Sequence, residues 1–145
     1  DYEKEFKNWL NHLTQNFTPE VLKRNTFEGV VFANDNSDRT QVPGAQFVER
    51  NYQPLQKALL QIRQPVCDSF ITSNGLNPFI FESPLYTKYF NNCNEAMEWQ
   101  YPVMQLIISH KDEKGGISGQ DHFDFLRTNT GYKLISAQIQ GVDFR

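Results

Sequence analysis

The side chains best suited to moving a proton gather in the last quarter of the chain. Asp121, His122 and Asp124 are near neighbours, and His110 precedes them. A carboxyl group on an apolar surface is disfavoured as an ion and can serve as a general acid or base. Strand alternation puts Asp121 at the end of an apolar row formed with Phe123 and Phe125, which makes it the candidate catalytic residue. A solvated position at the rim of that row is the plainer alternative. His122 and Asp124 point the same way from one strand and could orient an imidazole for proton transfer. The same alternation puts both on the polar face, where a surface or dimer-contact role suits them. His110 belongs to the neighbouring strand, and no third ligand accompanies it, so no metal site is expected. His12 lies beside the apolar stripe of the first helix and should be partly buried.

Aromatic residues with a polar tip often line small-molecule pockets. Tyr52, Trp99 and Tyr101, with Phe123 beside them, are therefore the candidate ligand-binding residues. Ordinary core packing is the competing role for all four. Cys67 and Cys93 are the two cysteines. One disulfide and two reduced buried thiols both fit, and the spacing matches no metal site. There is no nucleophile elbow, no phosphate-cradling glycine loop and no H-E-x-x-H. No cofactor is expected, and Cys67 has no evident basic activator.

The totals bound what these residues can be part of. The chain has 145 residues, enough for one domain with a sizeable core. Twelve phenylalanines and an aromatic fraction of 14% supply large core residues, so neither metal nor disulfide is needed for folding. The net charge of −3 gives no electrostatic footprint for nucleic acid. Lys23-Arg24, and Arg50, Lys57 and Arg63, read as solvated helix faces. No apolar run approaches the ~20 residues that span a bilayer, and the mean hydropathy is −0.60, so membrane insertion is not expected. The opening at Asp1 shows no charged-then-apolar leader. The cysteine pair favours an extracytoplasmic or secreted protein whose targeting segment was removed, with the cytoplasm as alternative.

Positioning these groups falls to helices first and strands afterwards. Tyr2, Phe6, Trp9, Leu10 and Leu13 recur at the helical period over residues 2–15. Thr18 and Pro19 suit the N-cap and first position of a second helix ending near Asn25. Residues 27–33 read as a strand and 34–38 as a polar loop. Val48, Tyr52, Leu55, Leu59 and Ile62 form one stripe on a helix over 43–62. Pro54 should kink it near Tyr52. Residues 66–72, 78–82, 96–111, 119–127 and 132–144 read as strands, whereas 84–94 fit no regular element.

The final hairpin can be placed in register. Asn129-Thr130-Gly131 fits a three-residue loop with glycine in the left-handed position. Thr128 then faces Tyr132, Phe125 faces Ile135, Phe123 faces Ala137 and Asp121 faces Ile139. Odd-numbered positions of both strands look inward, and a slip of one residue would reverse an entire apolar set. In the preceding strand Trp99, Tyr101, Val103 and Ile107 share one face, and Met104, Leu106 and Ile108 the other. A strand apolar on both sides is usually covered on both. Three helices cover one side, so a homodimer through the outer sheet face is expected.

The order helix, helix, strand, helix and then long antiparallel strands resembles the nuclear transport factor 2-like superfamily. The stretches Phe27-Glu28-Gly29-Val30-Val31-Phe32, Val42-Pro43-Gly44-Ala45-Gln46-Phe47-Val48 and Gly131-Tyr132-Lys133-Leu134-Ile135 carry the likeness. It implies a single α+β domain over residues 1–145, with N-terminal helices packed on a curled, mostly antiparallel sheet. Such a cone-shaped roll leaves an apolar cavity between helices and sheet. In enzymatic members a few polar residues inside it carry the chemistry.

With no complete catalytic set in view, the leading expectation is a non-enzymatic domain that binds a small apolar ligand or a protein partner. An acid–base isomerase, dehydratase or cyclase is the second reading, with Asp121 and Tyr101 or Tyr52 as its residues. Asp121→Asn should then abolish turnover without moving the melting temperature. A structural module of an extracytoplasmic assembly is the third.

Overall fold

A computed structural model describes residues 2–28, 30–33, 40–63, 68–74, 103–111, 113–114, 116–128 and 130–145. Cys67, Cys93, Trp99 and Tyr101 lie outside these, as do the expected strand over 78–82, the irregular stretch over 84–94 and residues 96–102.

Three helices come first, as the apolar spacing requires. Helix α1 spans Tyr2–Gln15 and α2 spans Pro19–Arg24. The Thr18 hydroxyl caps α2 by accepting from the Val21 amide at 3.1 Å, which satisfies one of the unpaired N–H groups of its first turn. Helix α3 spans Gly44–Leu60 and tightens into a 3₁₀ turn, Gln61–Arg63. Pro54 lacks an amide hydrogen and its ring crowds the carbonyl one turn earlier. The helix accordingly breaks at Asn51, with φ −130° and ψ 19°. The Asn51 side chain fills the break. It donates to Phe47 O at 2.9 Å and to Arg145 O at 3.0 Å, and accepts from the Arg145 amide at 3.0 Å.

The strands are β1 Val30–Ala33, β2 Thr40–Pro43, β3 Asp68–Asn74, β4 Val103–Lys111, β5 Ile117–Thr128 and β6 Gly131–Gln138. They form one sheet in the order β2-β1-β6-β5-β4-β3. Every pairing is antiparallel except β1 with β6. The sequence reading missed β2, whose four residues pair with β1 and run directly into α3. Their brevity and the closing Pro43 hide them from a periodicity search.

The last hairpin differs from its expected register, and the difference has a packing cause. Thr128 faces Gly131, Arg127 faces Tyr132 and Phe125 faces Leu134, so Asn129 and Thr130 alone separate the paired positions. Gly131 has φ +119°, a conformation that side chains disfavour. A register shift then makes Ile135 an extra residue, and Phe123 meets Ala137 as expected. Such a bulge reverses the parity of the strand. Tyr132 and Leu134 join the core cluster, while Ile135 is buried outside it. The reward is an aromatic cluster. The ring of Tyr132 lies 4.9 Å from Phe6 and 5.3 Å from Trp9, and Phe125 lies 5.2 Å from Phe6. Such contacts add to the burial of large apolar area.

The helices cover one face of the sheet. Met104, Leu106, Ile108, Phe123, Phe125, Leu134 and Ala137 meet Phe6, Leu10, Leu13, Phe47, Leu55 and Leu59 there. Val103, Ile107 and Leu126 point to the opposite face and are also buried. Both faces of β4 are thus removed from water, in keeping with its doubly apolar sequence.

Candidate functional site

Asp121 belongs to the inward face of β5, opposite Ile108 of β4. It is 1% exposed, which removes the solvated-rim alternative. His110, two residues beyond Ile108 on the same face, is its diagonal neighbour across the hairpin, a separation that longer side chains bridge. His110 Nε2 lies 2.9 Å from Asp121 Oδ2.

Two more donors complete the carboxyl group's surroundings. Gln61 Nε2 donates to Oδ2 at 3.0 Å, and the backbone amide of Gln140 donates to Oδ1 at 3.0 Å. The same Gln61 nitrogen donates to Ala58 O at 2.9 Å. Two acceptors on one side-chain atom require it to be the amide nitrogen. Neither Gln61 Nε2 nor a backbone N–H can accept, and a carboxylate, which only accepts, satisfies both. His110 then presents its Nε2–H to Asp121, which leaves Nδ1 as the accepting nitrogen of the ring.

The pair borders a pocket of about 340 Å³ between α3 and the sheet, within the size range of small-molecule sites. Pro54, Ala58, Ile139 and Val142 give it apolar walls, and Lys57, Gln61, His110, Asp121 and Gln140 supply the polar groups. Pro54, Lys57, Ala58 and Gln61 fall at i, i+3, i+4 and i+7, so one face of α3 forms one wall. His110 is 31% exposed while Asp121 is sealed behind it.

The candidates from the sequence separate on the structure. Asp121 is at the pocket, but Phe123 is wholly buried in the core. Tyr52 is half-buried and packs on Phe17 with ring centroids 5.8 Å apart, away from the pocket's lining residues. Burial raises the pKa of the Tyr52 hydroxyl first, and the nearby Glu20 adds to it. His122 faces outward and meets Gln120 Oε1 at 3.2 Å. His12 is exposed rather than partly buried and pairs with Asn8 O at 2.8 Å. The sequence reading missed Gln61, Gln140 and the role of His110. Extending the register of the β4–β5 hairpin would have found His110 opposite Gly119, on the face of Asp121. Lys57 was assigned to a solvated face; it is exposed and also lines the pocket. Among the described residues no group of three or more His, Cys, Asp or Glu could hold a metal ion.

Helices on one face of a curled six-stranded sheet, with β1 entering parallel beside β6, is the expected architecture. It agrees with the architecture that the nuclear transport factor 2-like resemblance of the sequence implies. No protein-family model and no curated protein matches the chain. Among solved structures, a candidate dehydratase of the nuclear transport factor 2-like family from Streptomyces avermitilis aligns over 95% of each chain, at 12% identity and a TM-score of 0.41. A candidate calcium/calmodulin-dependent protein kinase II association domain from Xanthomonas campestris aligns over 94% of this chain and 84% of its own, at 10% identity and 0.39. A nuclear transport factor 2-like protein of unknown function from Shewanella baltica aligns over 92% and 86%, at 13% identity and 0.35. Overlaps at this level assign neither a reaction nor a ligand to this chain.

Proposed function

We propose that this domain binds a small, largely apolar molecule in the pocket beside α3 and exchanges a proton with it through His110. One observation carries the reading: Asp121, itself sealed from water, sits 2.9 Å from the Nε2 of a half-exposed histidine that opens on the pocket. Asp121 holds the imidazole tautomer and orientation, and His110 Nδ1 takes or returns the proton. Ala58, Pro54, Ile139 and Val142 hold the ligand's apolar body by excluding water from it. Isomerisation and dehydration both begin with such a proton transfer next to a carbonyl.

Deuterium incorporation into 2-tetralone in heavy water, followed by proton NMR, tests the reading without knowledge of the natural ligand. The protein should exchange the protons beside the carbonyl at least about tenfold faster than the His110→Gln variant, in keeping with the usual size of general-base effects. Equal rates in the two proteins would sink it. A protein that binds 2-tetralone without exchanging its protons would be a binding domain only, the leading expectation from the sequence.

Homodimerisation through the outer sheet face is a separate proposal. Val103, Ile107 and Leu126 of that face are already buried within one chain, so the apolar row alone does not require a partner. A single-chain mass in light scattering at high concentration would overturn it.

A further inference from the structure

The pocket's charges are not equally engaged. Both oxygens of Asp121 are taken, Oδ1 by the Gln140 amide and Oδ2 by His110 and Gln61. The carboxylate is therefore committed to the protein and offers little to a bound cation. Lys57 lines the same pocket from an exposed position on α3. Its ammonium group makes neither a hydrogen bond nor an ion pair with any described residue. By contrast Lys23 is paired with Glu49 at 2.8 Å and Arg63 with Asn11 at 2.8 Å. An ammonium group carries three donors and no acceptor, so an anion held in the pocket beside it is the partner its charge favours.

Position adds a second constraint. Lys57 precedes Gln61 by four residues, so the two lie one turn apart on one helix face, about 5–6 Å between Cβ atoms. Gln61 touches Asp121, and Asp121 touches His110. The lysine and the imidazole thus address two points of one ligand separated by little more than a helical turn. Pro54, Ala58, Ile139 and Val142 flank the space.

We infer that the ligand of this pocket is a small carboxylate with an apolar body, whose carboxylate pairs with Lys57 while a carbon a few bonds away faces His110. This rests on the reading of the pocket given above and adds the ligand's charge to it. Among other polar ends, a neutral one makes no ion pair with Lys57, and a cationic one meets Lys57 as a like charge.

A matched pair of probes tests the charge alone. 2-Naphthoate and 2-naphthamide have nearly the same size and apolar body. Their dissociation constants would be measured by calorimetry on the whole chain, with binding at the pocket confirmed by shifts of the His110 imidazole in NMR spectra. The unmodified protein should bind the carboxylate about threefold more tightly than the amide, in keeping with the modest worth of an ion pair at an exposed lysine. Lys57→Met should erase the preference while the amide's affinity stays within about twofold. Lys57→Arg, which keeps the charge, should retain most of it. Equal affinities in the unmodified protein, or a preference that survives Lys57→Met, would overturn the inference. Binding of the amide alone would also overturn it and leave the pocket standing as a ligand site. If neither probe shifts His110, the inference and the pocket reading fall together.

Discussion

The side chain of Gln140 lies over Gly119, and a Cβ on that glycine would stand 2.1 Å from the Gln140 side-chain amide. The missing side chain is what lets Gln140 close the pocket wall. From this position its Nε2 donates to Ser118 O at 3.0 Å and its backbone amide reaches Asp121. Gly119→Ala should push the flexible end of Gln140 aside at a stability cost of no more than about 1 kcal/mol. Hydrogen exchange at the Gln140 amide should speed up. An unchanged exchange rate would show that Gly119 has no part in holding that wall.

Asp121→Asn should cost stability as well as proton transfer. Oδ2 accepts from two donors, so the asparagine oxygen must take that place and its NH₂ must face the Gln140 amide. Two donors then oppose each other in a buried site, which costs about 1–3 kcal/mol. The catalytic reading of the sequence led to an unchanged melting temperature. Thermal unfolding of the variant decides between the two, and a melting temperature equal to that of the unmodified protein would contradict the buried network.

Glu5 should govern part of the acid response. Its hydrogen bond from Arg127, at 2.9 Å, is the largest cause holding its pKa below the ordinary glutamate value. Partial burial works against this, and the Tyr132 hydroxyl, donating at 2.8 Å, works with it. As pH falls the unfolded chain takes up the proton first, so this stabilisation is present above the ordinary glutamate range and is lost through the lower folded value. The side chain is 48% exposed, which limits its contribution at neutral pH to about 1 kcal/mol or less. Glu5→Gln should therefore flatten the acid side of a stability-against-pH curve measured by urea unfolding. An unaltered slope below pH ~4.5 would refute the assignment.

Tyr132 should act at the opposite end of the scale. Burial, followed by the bond to Glu5, raises its hydroxyl pKa well above the ordinary tyrosine range. The unfolded chain then loses its proton first as pH rises, so the contribution is complete below the usual tyrosine value and declines above it. Tyr132→Phe should remove that alkaline decline in the same urea experiment. A decline as steep in the variant would assign it to other groups.

Asn51 joins the kink of α3 to Arg145 by two reciprocal hydrogen bonds, each 3.0 Å. The neighbouring Phe144 packs on Phe47 with ring centroids 5.0 Å apart. Asn51→Ala should strand the buried backbone groups it served and cost about 1–3 kcal/mol. The Arg145 amide should exchange faster, since its acceptor is gone. Protection equal to that of the unmodified chain would mean that the Phe144 contact holds the segment by itself.

The sequence by itself determined the elements whose causes are local. The spacing of Phe6, Leu10 and Leu13 made a helix, Thr18 and Pro19 began the next one, and Pro54 broke the third within three residues of itself. Alternation at Met104, Leu106 and Ile108 and at Phe123 and Phe125 marked the inward face of the central strands. The tertiary structure decided what depends on residues far apart in the chain. Whether Phe125 met Ile135 or Leu134 rested on where Tyr132 could find Phe6, Trp9 and Glu5, and no local pattern contains that choice. Gln61, His110, Asp121 and Gln140 come from a helix end, two strands and a closing turn. Each is an unremarkable polar residue in its own segment. Only the packing of α3 against the sheet brings their donors to one carboxyl group and gives the lysine one turn away a pocket to face.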